Sequence, residues 1–258
     1  MSKNFRQLAT VVLKGREAGP PKLIVDPFGD MSLADAYTVQ NELVQIRHEA
    51  GHPQIGYKVG CTSRQIQEQL GIHQPIFGRL FLQDRHESPQ TIDRADFDGL
   101  AIEGELAVQL ACDPRDLSDS RSKLEQSINH IFPVIELHHT GSPTALLSAA
   151  VLVANNAIHA GFVQSSTRQE TTATKPQSMS IHFDRNCVST IPVEKLEHTI
   201  FDSLVWLRRE LLSIDDSPRL KPPVTVLCGS VAELFRVEEP VDIRVEFSEH
   251  SAVQCNVR

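Results

Sequence analysis

The stretch LAIEGELAVQL, residues 100 to 110, limits the possible folds of this 258-residue chain more than any other segment. Its apolar residues alternate as on a half-buried β-strand, yet it contains Glu103 and Glu105. Side chains of a strand alternate between its two faces, so both carboxylates lie on one face, about 7 Å apart. Burying both ionised carboxylates without a partner costs several kcal/mol. A positive group must therefore contact this face, or the face must be open to water.

A third acid, Glu136, occurs inside another apolar strand-like segment, HIFPVIELHHT. Three carboxylates on apolar strands are a suitable ligand set for Mg²⁺ or Mn²⁺, which prefer oxygen ligands and keep bound water. The spacing leaves two alternatives open, because the acids could instead face solvent from edge strands or pair with arginine. On a strand, His138 shares the face of Glu136, so we expect it near such an ion, and the adjacent His139 cannot point the same way.

Two helices are predicted before residue 55. The first covers residues 4–18. The second covers about 32–50, because Ser32 and Asp35 form a variant of the capping box and Gly51 is suited to end the helix. Together these helices indicate an N-terminal helical portion, residues 1–54.

The following residues, 55–258, form a β-rich body in which short strand-like segments alternate with turn residues. A further helix is predicted at about 199–213, beginning at Thr199, and the polar segment 163–177 is predicted to be a surface loop. The fold class is therefore α+β, and we expect one continuous structural domain. The predicted strands are QIGYKVGCT, PIFGRLFL, LAIEGELAVQL, HIFPVIELHH, QSMSIHFD, PVTVLCGS and VDIRVEF.

Composition excludes several classes of function. The formal net charge is −8 and no basic run is present, which argues against a nucleic-acid partner. The longest apolar stretches are interrupted and too short to cross a membrane, and no GxGxxG or P-loop motif indicates a nucleotide cofactor. The N-terminus does not have the pattern of a secretory signal, and the five scattered cysteines favour reduced thiols. We expect a cytoplasmic protein, with a mitochondrial targeting role of the first helix as the alternative.

The three acids, following IGYKVGCTSRQIQEQLGIHQPIFGRL, resemble those of the fumarylacetoacetate hydrolase superfamily. The branch resembled is that of the 2-oxopent-4-enoate hydratases and 4-oxalocrotonate decarboxylases, and the similarity covers most of the chain. It implies a fumarylacetoacetate hydrolase C-terminal-like mixed β-sandwich or roll with an N-terminal helical portion. It also implies a homo-oligomer. The other stretches that carry the resemblance are IEGELAV, VIELHHT, VANNAIHAGFV and VTVLCGS.

The resemblance implies that Glu103, Glu105 and Glu136 bind Mg²⁺ or Mn²⁺. In that family the ion is chelated by the carboxylate and keto oxygens of a 2-oxo acid. The implied function is that of a metal-dependent lyase, a decarboxylase or a hydratase, which acts on a small 2-oxo or 2-hydroxydienoate acid through a metal-stabilised dienolate.

Four further residues are candidates for direct roles. Lys58 matches the family lysine and is expected to be catalytic, with a pKa lowered by desolvation. His73, Gln74 and His138 are expected to bind substrate. His73 stands where the family usually has an acid, and a histidine there titrates near neutrality.

The chain departs from the family at three positions that concern chemistry. Ile76 replaces the aspartate of the hydratases, and decarboxylase relatives also have an aliphatic residue there. Asn155 replaces an aspartate, and Ile158 stands where a serine is a candidate for proton handling. Decarboxylation and hydration both remain open. So do cleavage of a carbon–carbon bond in an acylpyruvate and a catalytically degenerate role as the scaffold partner of such an enzyme.

Overall fold

The structure is a computed structural model that describes residues 4–17, 22–142, 147–165, 178–214, 218–248 and 251–258. Within this part of the chain no helix is both long and apolar enough to cross a membrane. The helices are α1 (Phe5–Glu17), α2 (Leu33–Glu49), α3 (Arg64–Leu70), α4 (Arg121–Gln126), α5 (Ala149–Ala154) and α6 (Val193–Ile214).

The strands form two sheets. The larger sheet has the order β2-β1-β10-β5-β6-β7-β3, with β11 paired to β5, and the smaller has the order β4-β13-β12-β8-β9. In chain order the strands are β1 (Gln54–Gly60), β2 (Ile76–Phe81), β3 (Arg85–Ser88), β4 (Gln90–Ile92), β5 (Leu100–Leu110), β6 (Ile128–His139), β7 (His159–Ser165), β8 (Ser178–Phe183), β9 (Asn186–Pro192), β10 (Val224–Leu227), β11 (Phe235–Arg236), β12 (Val241–Ser248) and β13 (Ser251–Val257).

The long strands β5 and β6 pair antiparallel in the middle of the larger sheet, with Glu103 directly opposite Glu136. The opposite face of β5 packs on the smaller sheet. A Cβ at Gly104 would lie 2.7 Å from Cδ1 of Ile181 and 3.1 Å from Cγ2 of Val245, so only glycine allows this close approach. The predicted alternation is therefore confirmed, and the glutamates occupy the face that turns away from the smaller sheet.

The predicted second helix is confirmed, because the Ser32 hydroxyl accepts a hydrogen bond from the N–H of Asp35 at 3.1 Å. The predicted start of the last helix is wrong. Helix α6 begins at Val193, and the Thr199 hydroxyl donates to the carbonyl of Lys195 inside the helix. Of the predicted loop 163–177, the first three residues belong to β7 and the others lie outside the described residues.

The N-terminal helices share the main apolar core with both sheets. This core includes Ala9 and Val12 of α1, Leu43 of α2 and Ile181 of the smaller sheet. The buried amide of Gln40 on α2 donates to the carbonyls of Phe77 and Val153, at 3.0 and 3.1 Å. Helix α2 therefore ties β2 to α5, beside the face that carries the glutamates.

Candidate active site

Polar side chains from four strands meet on one face of the larger sheet. They are Lys58 on β1, Glu103 and Glu105 on β5, Glu136 and His138 on β6, and His159 on β7. Strands β1 and β6 are separated by β10 and β5, a distance of about 14 Å at the usual strand spacing. The Lys58 ammonium nevertheless lies 3.2 Å from Oε1 of Glu136. The long side chains of Lys58 and Glu136 therefore reach toward each other across the two strands that lie between them.

Glu136 is the centre of the cluster and is fully buried. Its Oε1 contacts Nδ1 of His159 at 2.7 Å and Nζ of Lys58 at 3.2 Å. Burial alone would raise the pKa of Glu136, but Lys58, His138 and His159 outweigh burial and hold this pKa below its usual value. Its Oε2 lies 3.6 Å from Nε2 of His138 and accepts no hydrogen bond from a described residue. Glu136 is thus an ionised carboxylate with one oxygen held in place and one open.

Glu105 is also buried, but fewer groups offset the cost of burying its charge. Its Oε2 accepts a hydrogen bond from the N–H of Gly229 at 3.0 Å, whereas no described group donates to its Oε1. Burial, followed by the charges of Glu136 and Glu103, raises the pKa of Glu105 well above its usual value. Such a carboxyl takes up a proton or binds a cation, because an ionised carboxylate cannot stay unpaired in this position.

His138 lies between two of the acids. Its Nε2 is 3.2 Å from Oε2 of Glu103 and 3.6 Å from Oε2 of Glu136. One ligand atom from each of these three residues lies within 4.8 Å of the other two. Two ligands of one ion lie at most about 4.2 Å apart when each bond is about 2.1 Å. The carboxylates of Glu103 and Glu136 and the ring of His138 therefore fit a divalent cation after small side-chain adjustments.

Lys58 is almost fully buried, and its environment corrects one prediction. Burial alone lowers the pKa of Lys58 as expected, but Glu136, Glu103 and Glu105 outweigh burial and raise this pKa above its usual value. The predicted lowered pKa is therefore wrong, and Lys58 is an ammonium. A Cβ at Gly60 would lie 3.2 Å from Nζ of Lys58 and 4.0 Å from Cγ1 of Ile76, so an apolar side chain stands near this ammonium.

His73 and Gln74 lie in the segment that precedes β2. His73 is exposed, and the half-buried Gln74 donates through Nε2 to Oε1 of Glu210 on α6 at 3.3 Å. Substrate binding by His73 and Gln74 stays a prediction. His139 is turned away from the acids, as expected from strand alternation, and its Nδ1 accepts a hydrogen bond from the N–H of Asp98 at 3.3 Å.

Asn155 has a structural role. It is buried, its amide donates to the carbonyls of Ile24 and Val151 at 2.7 and 2.9 Å, and its Oδ1 accepts from the N–H of Ile24 at 3.2 Å. An ionised aspartate has no N–H donor for these carbonyls. The amide of Asn155 therefore holds in place the segment that precedes α2.

Three consecutive residues without glycine follow in the left-handed region, with φ of 60° at Asn156, 53° at Ala157 and 54° at Ile158. The amide of Asn156 holds this turn on β2, since it exchanges hydrogen bonds of 2.7 and 2.9 Å with the backbone of Arg79. This turn places the ring of His159 next to the carboxylate of Glu136. The sequence pattern did not identify His159 as a site residue, although His159 precedes the strand-like AGFV and stands within a stretch that carried the family resemblance.

Comparisons with known proteins show what the sequence and the fold are similar to. No family model matches the sequence. The chain is 26% identical over 225 residues to 2-keto-4-pentenoate hydratase of Paraburkholderia xenovorans. This match covers 84% of this chain and 81% of the relative. The fold is similar to that of 4-oxalocrotonate decarboxylase from Pseudomonas putida complexed with magnesium and adipate. That match has a TM-score of 0.85 and 17% identity, and it covers 100% of this chain and 98% of the other. A fumarylpyruvate hydrolase from Pseudomonas aeruginosa, in complex with Mn²⁺ and pyruvate, gives a TM-score of 0.57 at 12% identity, over 80% of this chain and 89% of the other.

Proposed function

We propose that this chain, which belongs to the hydratase and decarboxylase branch of the fumarylacetoacetate hydrolase superfamily, is a divalent-metal-dependent lyase for a small 2-oxo or 2-hydroxydienoate acid. The observation that carries the proposal is the buried group of Lys58, Glu105 and Glu136. In it, one oxygen of each glutamate accepts no hydrogen bond from the described residues. Buried polar atoms are nearly always satisfied, so these oxygens indicate a missing positive ligand.

Glu103, Glu105 and Glu136 would hold Mg²⁺ or Mn²⁺. Three carboxylates against the single ammonium of Lys58 leave two formal negative charges, which suits a divalent ion. The magnesium and manganese in the two neighbouring structures support this assignment. A bound divalent ion supplies a Lewis acid that polarises the 2-oxo group and offsets the negative charge developing during the reaction.

Lys58 would bind the substrate and handle a proton. The contact with Oε1 of Glu136 fixes the position of its nitrogen, and an ammonium has three N–H donors, so others remain for a substrate carboxylate. The contact with Glu136 favours the ammonium form, so Lys58 can begin the cycle as an acid and protonate a substrate carbon. The burial of this side chain keeps competing water away from the transfer.

Decarboxylation is the reaction we favour over hydration. Hydration requires a group that orients and activates a water molecule. Near Lys58, the position at which the hydratases have an aspartate is occupied by Ile76, which is apolar and buried. Ile158 stands where a serine was expected. Loss of CO₂ from a 2-oxo acid needs no attacking water. An apolar wall also favours the departure of neutral CO₂ over retention of a charged carboxylate.

Turnover of a panel of substrates tests the proposal. We would follow the ultraviolet absorbance of 4-oxalocrotonate, 2-hydroxypenta-2,4-dienoate and an acylpyruvate, with metal-free protein and after addition of Mn²⁺. We expect Mn²⁺-dependent loss of the 4-oxalocrotonate signal with release of CO₂, and we expect Glu105→Gln to abolish it. Turnover of the dienoate without CO₂ would indicate a hydratase, and cleavage of the acylpyruvate a hydrolase. Binding of Mn²⁺ without any turnover would indicate a scaffold.

A further inference from the structure

The imidazole of His138 is buried, and its two nitrogens are unusual in their surroundings. It is 1% exposed, and neither Nδ1 nor Nε2 forms a hydrogen bond within the described ranges. Buried ring nitrogens usually have at least one hydrogen-bond partner, because leaving them unsatisfied costs free energy. The position of Nε2, 3.2 Å from Oε2 of Glu103 and 3.6 Å from Oε2 of Glu136, indicates that all three atoms face one shared ligand.

The two oxygens of Glu136 have different surroundings. Oε1 contacts Nδ1 of His159 at 2.7 Å and Nζ of Lys58 at 3.2 Å, so it is occupied. Oε2 is the oxygen near His138, and no described group donates to it. His159 and Lys58 therefore orient the carboxylate so that its free oxygen points to the same place as the ring of His138.

We propose that Nε2 of His138 ligates the cation together with Glu103 and Glu136, and that this nitrogen makes the centre select a divalent transition-metal ion over Mg²⁺. The inference rests on the cation site of the proposed function and adds a ligand to it. Mg²⁺ strongly prefers oxygen ligands, whereas imidazole suits first-row transition ions, so replacing an oxygen by a nitrogen shifts the preference. Glu105, whose Oε1 is also open, remains available on the same face.

Electron spin-echo spectroscopy of bound Mn²⁺ tests the nitrogen ligand directly. A directly bound imidazole nitrogen produces ¹⁴N modulation of the echo, which changes when the histidines are labelled with ¹⁵N. We expect this modulation in the wild-type protein and in His139→Gln, the matched control on the opposite face, and its loss in His138→Gln. Calorimetry should show that His138→Gln lowers the ratio of Mn²⁺ to Mg²⁺ affinity about tenfold or more, and that His139→Gln leaves it unchanged.

The outcomes separate this inference from the proposed function. Bound Mn²⁺ without ¹⁴N modulation in the wild-type protein, or with modulation that persists in His138→Gln, would overturn the role of His138 and leave the cation site intact. Absence of Mn²⁺ binding to the wild-type protein would overturn both. If His138→Gln fails to fold, the effect of ¹⁵N-histidine labelling on the wild-type signal still decides whether a histidine is bound.

Discussion

The ammonium of Lys58 lies 3.2 Å from Oε1 of Glu136, although two other strands separate β1 from β6 in the sheet. Both side chains are buried, and their contact spans the two strands that lie between them. Removing one member of a buried pair leaves the other charge uncompensated, at a cost of about 3–5 kcal/mol. The stability of the fold therefore depends on the charges of these two site residues.

Replacing Lys58 by methionine removes the ammonium and keeps most of the volume of the side chain. We expect kcat with Mn²⁺ to fall at least about 100-fold, because the group that holds the substrate and handles the proton is lost. Steady-state kinetics on the substrate that is turned over measures this effect. Lys123→Met, at an exposed position of α4, should keep the wild-type rate. If Lys58→Met kept both kcat and KM, Lys58 would be structural.

His159 is a positioning residue, because its Nδ1 lies 2.7 Å from Oε1 of Glu136. We expect His159→Ala to weaken Mn²⁺ binding about 10- to 100-fold, since Glu136 loses the group that orients it. His159→Asn should recover most of the affinity, because its amide nitrogen can take the place of Nδ1. Calorimetric titration compares the three proteins. Equal affinities for His159→Ala and His159→Asn would show that this contact does not orient Glu136.

A substitution at Gly104 tests how closely the two sheets pack. A methyl group in Gly104→Ala would lie 2.7 Å from Cδ1 of Ile181 and 3.1 Å from Cγ2 of Val245, so the neighbours must shift. We expect the free energy of unfolding to fall by about 1–3 kcal/mol, measured by urea denaturation. Gly29→Ala is the matched control, because no atom of a described residue lies within 4 Å of its added Cβ. A similar small change in both variants would contradict the close approach of the sheets at Gly104.

Asp113 should make stability depend on pH. Burial alone would raise the pKa of Asp113, but hydrogen bonds from Arg115 and from the N–H of Leu220 outweigh burial and lower this pKa. A lowered pKa stabilises the fold above the unfolded value of about 3.9, and this stabilisation is lost as pH falls through the lower folded value.

We therefore expect Asp113→Asn to lose about 2–4 kcal/mol at pH 7 and progressively less below about pH 4. Urea denaturation across this pH range measures the difference between the two proteins. Asp119→Asn replaces an exposed aspartate and should change stability by less than about 0.5 kcal/mol. A deficit in Asp113→Asn that stays constant as pH falls would mean that the Asp113 carboxylate adds no pH-dependent stability.

The strands that carry the acids were predictable because each has a strong local pattern. The predicted segment 100–110 and β5 have the same bounds, and alternation alone placed Glu103 and Glu105 on one face. The start of α6 was not predictable from Thr199, whose hydroxyl bonds to a carbonyl four residues earlier inside the helix instead of capping it. A local rule can identify a capping residue type, but the structure decides how that side chain bonds.

The contacts between strands could not be read from the sequence. His159 follows a left-handed turn of Asn156, Ala157 and Ile158, and residues other than glycine seldom adopt this conformation. The expected lowering of the Lys58 pKa considered burial alone, whereas the pairing of the strands brings three carboxylates near the ammonium. Both differences arise from long-range packing, which a strand pattern does not specify.

Titration of Mn²⁺ into metal-free protein measures the cation site without depending on the identity of the substrate. We expect saturable binding of one Mn²⁺ per chain. We also expect binding at least about 100-fold weaker in Glu136→Gln and unchanged in Glu125→Gln, which replaces an exposed acid of α4. Absence of saturable binding, or equal affinity of Glu136→Gln and the wild-type protein, would show that these carboxylates do not form a cation site.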